Sequence, residues 1–221
     1  MKNGAAGLPV TQQYLLCALQ ENGTLPMIGQ ERMLSLVAGG VLELLLEETL
    51  ALEGKKLRVA ASLPAEKEYL RPVWGFVEKK QPVRFEKAVQ FFAMDLTDRN
   101  TRALIDAVGN GLVEVGCAEP EVRRGLFGRK TVYHPNLMQR DRVVQQIRAE
   151  LLEEGTISEE TVILTVLLHR SGLLKRYFSQ YEKAELKRRL QEIRQNPADE
   201  MIRRAASYLD SLLVVMIAAT Y

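Results

Sequence analysis

Few side chains in this sequence are of a type that does covalent chemistry. There are two histidines, His134 and His169, and two cysteines, Cys17 and Cys117. His134 follows a strand-like run and precedes Pro135, while His169 closes the apolar run Leu167-Leu168-His169. A histidine in the last turn of a helix commonly bonds the final carbonyls, so His169 reads as structural. Cys17 sits in a helix-like apolar run and Cys117 beside a strand, a pattern of neither a disulfide framework nor a zinc knuckle. No HExxH, paired CxxC, GxSxG or phosphate-binding GxxxxGK[ST] occurs. The most suggestive carboxylate is Glu43, in the apolar stretch LELLLEE. Burial raises a carboxyl pKa, which is how general acids are tuned. No partner acid or base adjoins Glu43, and a buried carboxylate satisfied by backbone amides or an arginine is the simpler reading. The chain is therefore expected to be non-enzymatic, with no catalytic residue, metal or cofactor.

Basic residues offer different chemistry. In VRRGLFGRKTVYHP, residues 122–135, Arg123, Arg124, Arg129 and Lys130 are interleaved with Leu126 and Phe127. No acid occurs between Glu121 and Asp141. Cations around an apolar tip suit the surface of an anionic membrane, where each Lys or Arg contributes about 1 kcal/mol. A fully desolvated Leu or Phe adds about 1.5–3 kcal/mol. An ordinary hairpin whose Leu-Phe pair folds back on the core fits the same residues. Arg99 and Arg102, three apart on a helical pattern, share a face and could grip one phosphate, or pair with Asp95, Asp98 or Asp106. The run Lys183, Lys187, Arg188, Arg189, Arg194 alternates with Glu182, Glu185 and Glu192 and reads as a solvated helix, with Glu185 and Arg189 in favourable order.

The whole chain must position these groups. Its 221 residues are 47% hydrophobic, enough for a sizeable core. The net charge of +2 argues against a dedicated nucleic-acid binder. Residues 1–121 carry 13 Lys/Arg against 16 Asp/Glu, whereas residues 122–221 carry 17 against 12. The N-terminus lacks the apolar run of a signal peptide. The longest apolar run, LLVVMIAA, is far short of the roughly 20 residues of a spanning helix.

Periodicity predicts a helix over 11–20. A second, mostly buried helix over 31–48 contains Gly39-Gly40, whose helix cost implies close packing. A hairpin follows over 49–60. Amphipathic helices cover PAEKEYLRPVWGFVEKK, split or kinked at Pro72, and RFEKAVQFFAM. A helix over 96–112 has a Gly-rich end, then GLVEVG enters a short strand and TVYH forms its partner. The last third is helical: 137–155 ending at Gly155, a capping box at Thr156 and Glu159, a buried helix over 161–174, a solvated one over 182–195, and AASYLDSLLVVMIAA. The fold class is mainly α, a compact helical domain with two small β-hairpins, one of them a protruding basic and apolar arm.

Five segments in order resemble the Golgi phosphoprotein 3 family: YLLCALQENGTL, LVAGGVLELLLEETLAL, TRALIDAVGNGLVEV, RGLFGRKTVYHP and LTVLLHRSGLLKRYF. The fourth is similar to the hairpin of prokaryotic members, and the resemblance points to a prokaryotic relative. It implies one domain over 8–221 and a membrane-facing hairpin. It also implies binding of phosphatidylinositol 4-phosphate, self-association through the hairpin and an adaptor role toward protein partners. The family's headgroup residues fall on Ile28, Val37, Thr97 and Asn100. The arginines near these positions, Arg32, Arg99 and Arg102, are the headgroup candidates.

The expected function is a peripheral membrane protein of the cytoplasm that binds anionic lipid. The hairpin would dock through Arg123, Arg124, Leu126, Phe127, Arg129 and Lys130. The alternative is a soluble scaffold that binds protein and self-associates through the 113–134 hairpin.

Overall fold

A computed structural model describes residues 7–26, 31–93, 98–125, 128–153 and 156–195. Two helices form its centre. Helix α1, Val10–Ala18, is buried along its whole length, and α2, Glu31–Leu46, is buried from Met33 to Leu45. The Gly39-Gly40 pair explains how α2 fits there. A Cβ on Gly39 would lie 3.2 Å from Leu167 and 3.8 Å from the Thr11 hydroxyl, and one on Gly40 would lie 3.2 Å from Leu70. Large neighbouring side chains occupy the space that alanines would need.

Strands β1, Leu50–Glu53, and β2, Lys56–Val59, pair antiparallel around Gly54, as the sequence predicts. Pro72 splits its segment: a 3-10 turn over Ala65–Leu70 gives way to α3, Arg71–Lys80, with the proline in the first turn. Proline is tolerated there because its missing N–H would have had no partner. Strand β3, Val83–Arg84, joins the edge of β2. The first sheet is therefore three-stranded and not a simple hairpin. Two residues are too few for an alternating pattern to show in a sequence.

Helix α4, Phe85–Ala93, brings Phe91 against Phe76, with ring centroids 4.3 Å apart. Helix α5, Arg99–Glu114, runs past its glycines. It stops at Gly116, which has φ 72°, where Cys117 N–H donates to Leu112 O at 2.8 Å and Gly116 N–H to Val113 O at 3.0 Å. This is a Schellman closure. Residues 113 and 114, expected in a strand, are the last turn of α5. Strands β4, Ala118–Gly125, and β5, Gly128–Pro135, form the second sheet.

Asn136 caps α6, Leu137–Leu151. The predicted capping box at Thr156 and Glu159 is displaced. Ser158 is the N-cap of α7, Glu159–Arg170, and accepts from Thr161 N–H, while Glu150 of α6 accepts from the Ser158 amide at 2.8 Å and hydroxyl at 2.7 Å. The expected stop at Gly155 lies outside the described residues. After the short α8, Leu174–Tyr177, comes α9, Gln180–Gln195, with only Leu186 and Ile193 buried. There Glu185 pairs with Arg188, one position short of the expected Arg189, and Arg188 also reaches Glu192. The stretch AASYLDSLLVVMIAA lies outside the described residues. One continuous apolar cluster runs from Leu8 to Ile193. Among the described residues the fold is mainly α-helical with two small antiparallel sheets.

Candidate functional site

The β4–β5 hairpin is built from eight cross-strand pairs, from Ala118 opposite Pro135 to Gly125 opposite Gly128. Leu126 and Phe127, the predicted apolar tip, lie between those glycines and outside the described residues. Directly opposed residues in an antiparallel pair project to the same face. Tyr133, Thr131 and the Arg124–Arg129 pair therefore share one face. Val132 and the Arg123–Lys130 pair share the other. Two consecutive pairs next to the tip thus oppose like charges, one on each face. Opposed like charges destabilise a sheet.

Both faces of the hairpin base are anchored. Tyr133 packs on α5 at Gly109 so closely that a Cβ there would stand 2.7 Å from three ring atoms. Its hydroxyl donates to Asn110 Oδ1 at 3.0 Å and approaches the Asp106 carbonyl and carboxylate at 3.3 Å. Burial, then the Asp106 charge, pushes the Tyr133 hydroxyl well above the ordinary phenol range. Its backbone N–H donates to Gly23 O at 2.9 Å. On the opposite face, Val132 is buried against Gly23.

His134 continues the anchoring. Its Nδ1 faces the Glu21 carbonyl at 2.9 Å and its Nε2 the Glu121 carboxylate at 2.7 Å. Arg123 Nη2 also reaches that carboxylate, at 2.7 Å. Arg123 and His134 hold the Glu121 carboxyl down at about 2. Glu121 and the Glu21 carbonyl raise His134 above the usual imidazole value. Among the described residues, Arg124, Arg129 and Lys130 have no acidic partner.

The predicted headgroup arginines divide. Arg102 on α5 reaches the hairpin, its Nη1 donating to Thr131 O at 3.3 Å. Arg99 is exposed one turn earlier on the same helix. Arg32 lies in the first turn of α2, where its backbone carbonyl accepts from the Tyr14 hydroxyl of α1 at 3.0 Å. Sequence reasoning placed the hairpin cations but missed the Tyr133–Gly109 and His134–Glu121 anchors. The only available signal was a tyrosine alternating with basic residues and a glycine within a helical pattern.

Glu43 is 4% exposed and fully satisfied. It accepts from the Thr11 amide at 3.0 Å, the Thr11 hydroxyl at 2.8 Å, Lys67 at 3.0 Å and the Tyr69 hydroxyl. The Thr11 amide is the expected backbone donor, a lysine and a tyrosine stand where an arginine is the other expectation, and the cluster joins α1, α2 and the 3-10 turn. His169 is exposed at the end of α7, its pKa lowered by partial burial and by Arg170. Both cysteines are buried and free. Among the described residues no helix is long and apolar enough to cross a membrane, and no group of His, Cys, Asp and Glu could hold a metal ion.

A search of curated proteins finds no match. The family model described as Golgi phosphoprotein 3 (GPP34) matches residues 10–209, a span that contains the hairpin, its α5 support and the Glu43 cluster. The chain belongs to the Golgi phosphoprotein 3 family.

Proposed function

We propose that this chain is a non-enzymatic peripheral protein that docks on anionic membrane lipid through the β4–β5 hairpin. Arg102 and Arg99 would meet headgroups beside it. The observation that carries this reading is the pair of opposed like charges, Arg123 with Lys130 and Arg124 with Arg129. In water these pairs oppose strand pairing. Against a negative surface each cation contributes about 1 kcal/mol, screened by salt. The arrangement gains most where an external anionic surface lies against the tip.

The hairpin register supports a contribution from α5. Tyr133 meets Asn110 and Asp106, and Thr131, two residues nearer the tip, meets Arg102, one turn earlier on the helix. Two strand residues rise about 6.7 Å and one helical turn about 5.4 Å. One further step brings the Arg124–Arg129 pair to the level of Arg99. These four guanidiniums would then form one surface. Family membership supports phosphoinositide binding in general terms. For this chain we propose charge-led docking in which phosphatidylinositol 4-phosphate is one acceptable anionic lipid. Self-association through the hairpin would bring eight cations together, so the same charges disfavour that rival.

Vesicle co-sedimentation tests the reading. The protein should be retained by phosphatidylcholine–phosphatidylserine vesicles and released as salt rises. Equal retention by pure phosphatidylcholine, or none by either vesicle, would refute it.

A further inference from the structure

A second basic site lies away from the hairpin cations. A cleft of about 480 Å³ opens between α6, α8 and Glu21, lined by Arg140, Asp141, Arg148, Arg176 and Tyr177. Arg140 stands on the apolar stripe of α6 with Val143, Val144, Ile147 and Leu151, and is 8% exposed. Its Nε and Nη1 are buried without a hydrogen-bond partner. A guanidinium carries five donors and cannot discharge itself, so burial without an acceptor is costly. The Tyr177 ring gathers two of the cleft's cations, with the Arg140 and Arg176 guanidinium carbons 5.6 and 5.5 Å from its centroid. The ring is fixed in turn, its hydroxyl donating to the Cys17 carbonyl. Arg176 also donates to Leu19 O at 2.9 Å.

Arg148 is already committed. It pairs with Glu182 at 2.7 Å and donates to Tyr177 O at 2.8 Å. Among the described residues, Arg140 and Arg176 pair with no carboxylate. We propose that this cleft is a phosphoryl-binding site, with Arg140 and Arg176 as the gripping residues and Tyr177 as the ring that holds them in place. A compact anion with several oxygens matches the planar guanidinium fork. The carboxylates of Glu21 and Asp141 at the rim oppose a large polyanion and favour one small group. Neither gripping residue belongs to the hairpin, so the site stands whether or not the hairpin meets a membrane. The Glu21 carbonyl that holds His134 places the cleft beside the hairpin base. The phosphoryl group could therefore come from a lipid headgroup or from a soluble phosphate.

Thermal unfolding in inorganic phosphate, against chloride at matched ionic strength, provides the first test. The midpoint should rise with phosphate. Arg140→Met and the surface substitution Arg176→Gln should each weaken the apparent affinity about tenfold or more. Asp141→Asn should strengthen it by removing a competing charge. A second arm measures retention on phosphatidylcholine–phosphatidic acid vesicles with the hairpin cations intact. A response to free phosphate that Arg176→Gln removes supports the site with a soluble source. A response confined to vesicles, reduced by the same substitution, supports it with a lipid source. A phosphate response unchanged in both arginine variants, or no sensitivity to Arg176→Gln in either arm, overturns the proposal.

Discussion

Both ring nitrogens of His134 face acceptors, the Glu21 carbonyl and the Glu121 carboxylate. Satisfying both requires two N–H donors, which only the imidazolium has. The resulting pH dependence has two limbs. His134 is raised in the folded protein, so its contribution is complete below the ordinary value of 6.5 and is lost as pH climbs through the raised one. Glu121 is depressed, so its contribution is complete above 4.5 and is lost as pH falls through about 2. The contact is strongest between those ordinary values. The same proton adds a positive charge to the hairpin. Retention on anionic vesicles should therefore be greater on the acid side of the His134 transition than on the alkaline side. A His134→Gln variant should flatten that difference in a sedimentation series across pH. None of this was legible in the sequence, since Glu21 and Glu121 lie 113 and 13 residues from His134. By contrast, the absence of acid between Glu121 and Asp141 was visible by inspection, and it marks the same hairpin.

Two joints between elements carry separable consequences. The Glu43 cluster ties α1, α2 and the 3-10 turn, with Lys67 held also by Glu47 at 2.8 Å. Burial works against the Lys67 charge, but Glu43 and Glu47 outweigh it and raise its pKa above the ordinary lysine value. Glu43→Gln should cost about 3 kcal/mol in denaturant unfolding, at the low end for a broken buried pair because Lys67 keeps Glu47. Folded Glu43→Gln protein should still bind vesicles as the wild type does, since the cluster is structural. The second joint is the Tyr133 ring on Gly109. Gly109→Ala should lose about 1–2 kcal/mol, because a Cβ 2.7 Å from three ring atoms puts the overpacking cost at about 2–3 kcal/mol, the upper part of its usual range, against a helix-propensity gain of roughly 1 kcal/mol. Chemical denaturation measures the loss. Elements with long apolar periodicity were readable: α2 and the buried part of α7 declare themselves by Leu and Val spacing. The ends were less so. Gly109 and Gly111 look like a helix stop but are packing sites for Tyr133 and Gln12, and the true stop is Gly116. Strand β3 owes its conformation to the neighbouring β2, not to its own two residues.

At the scale of the molecule, the core joins α1, α2, α5 and α7, and the hairpin extends from it, with Tyr133, Val132 and His134 as its base. Glu119 and Glu121 lie near that base and the cations cluster next to the tip. Charge thus changes sign along one arm, from acid at the core to base at the end. The halves of the sequence already showed this asymmetry as a sum over residues. Which arginines share a surface could not be summed: Arg102 of α5 joins the hairpin through Thr131, 29 residues along the chain. Arg140 shows the same limit, although its place on the apolar stripe of α6 is a signal that helical periodicity can reveal. The most direct measurement is vesicle retention of an Arg124→Glu, Arg129→Glu double variant whose helix content by circular dichroism matches the wild type. Neither residue has an acidic partner among the described residues, so the fold should survive the change. Reversing two cations changes the charge by about four, which corresponds to about 4 kcal/mol at an anionic surface. The expected result is a loss of retention on phosphatidylcholine–phosphatidylserine vesicles by roughly two to three orders of magnitude in affinity. Wild-type retention by the folded double variant would contradict docking through the hairpin.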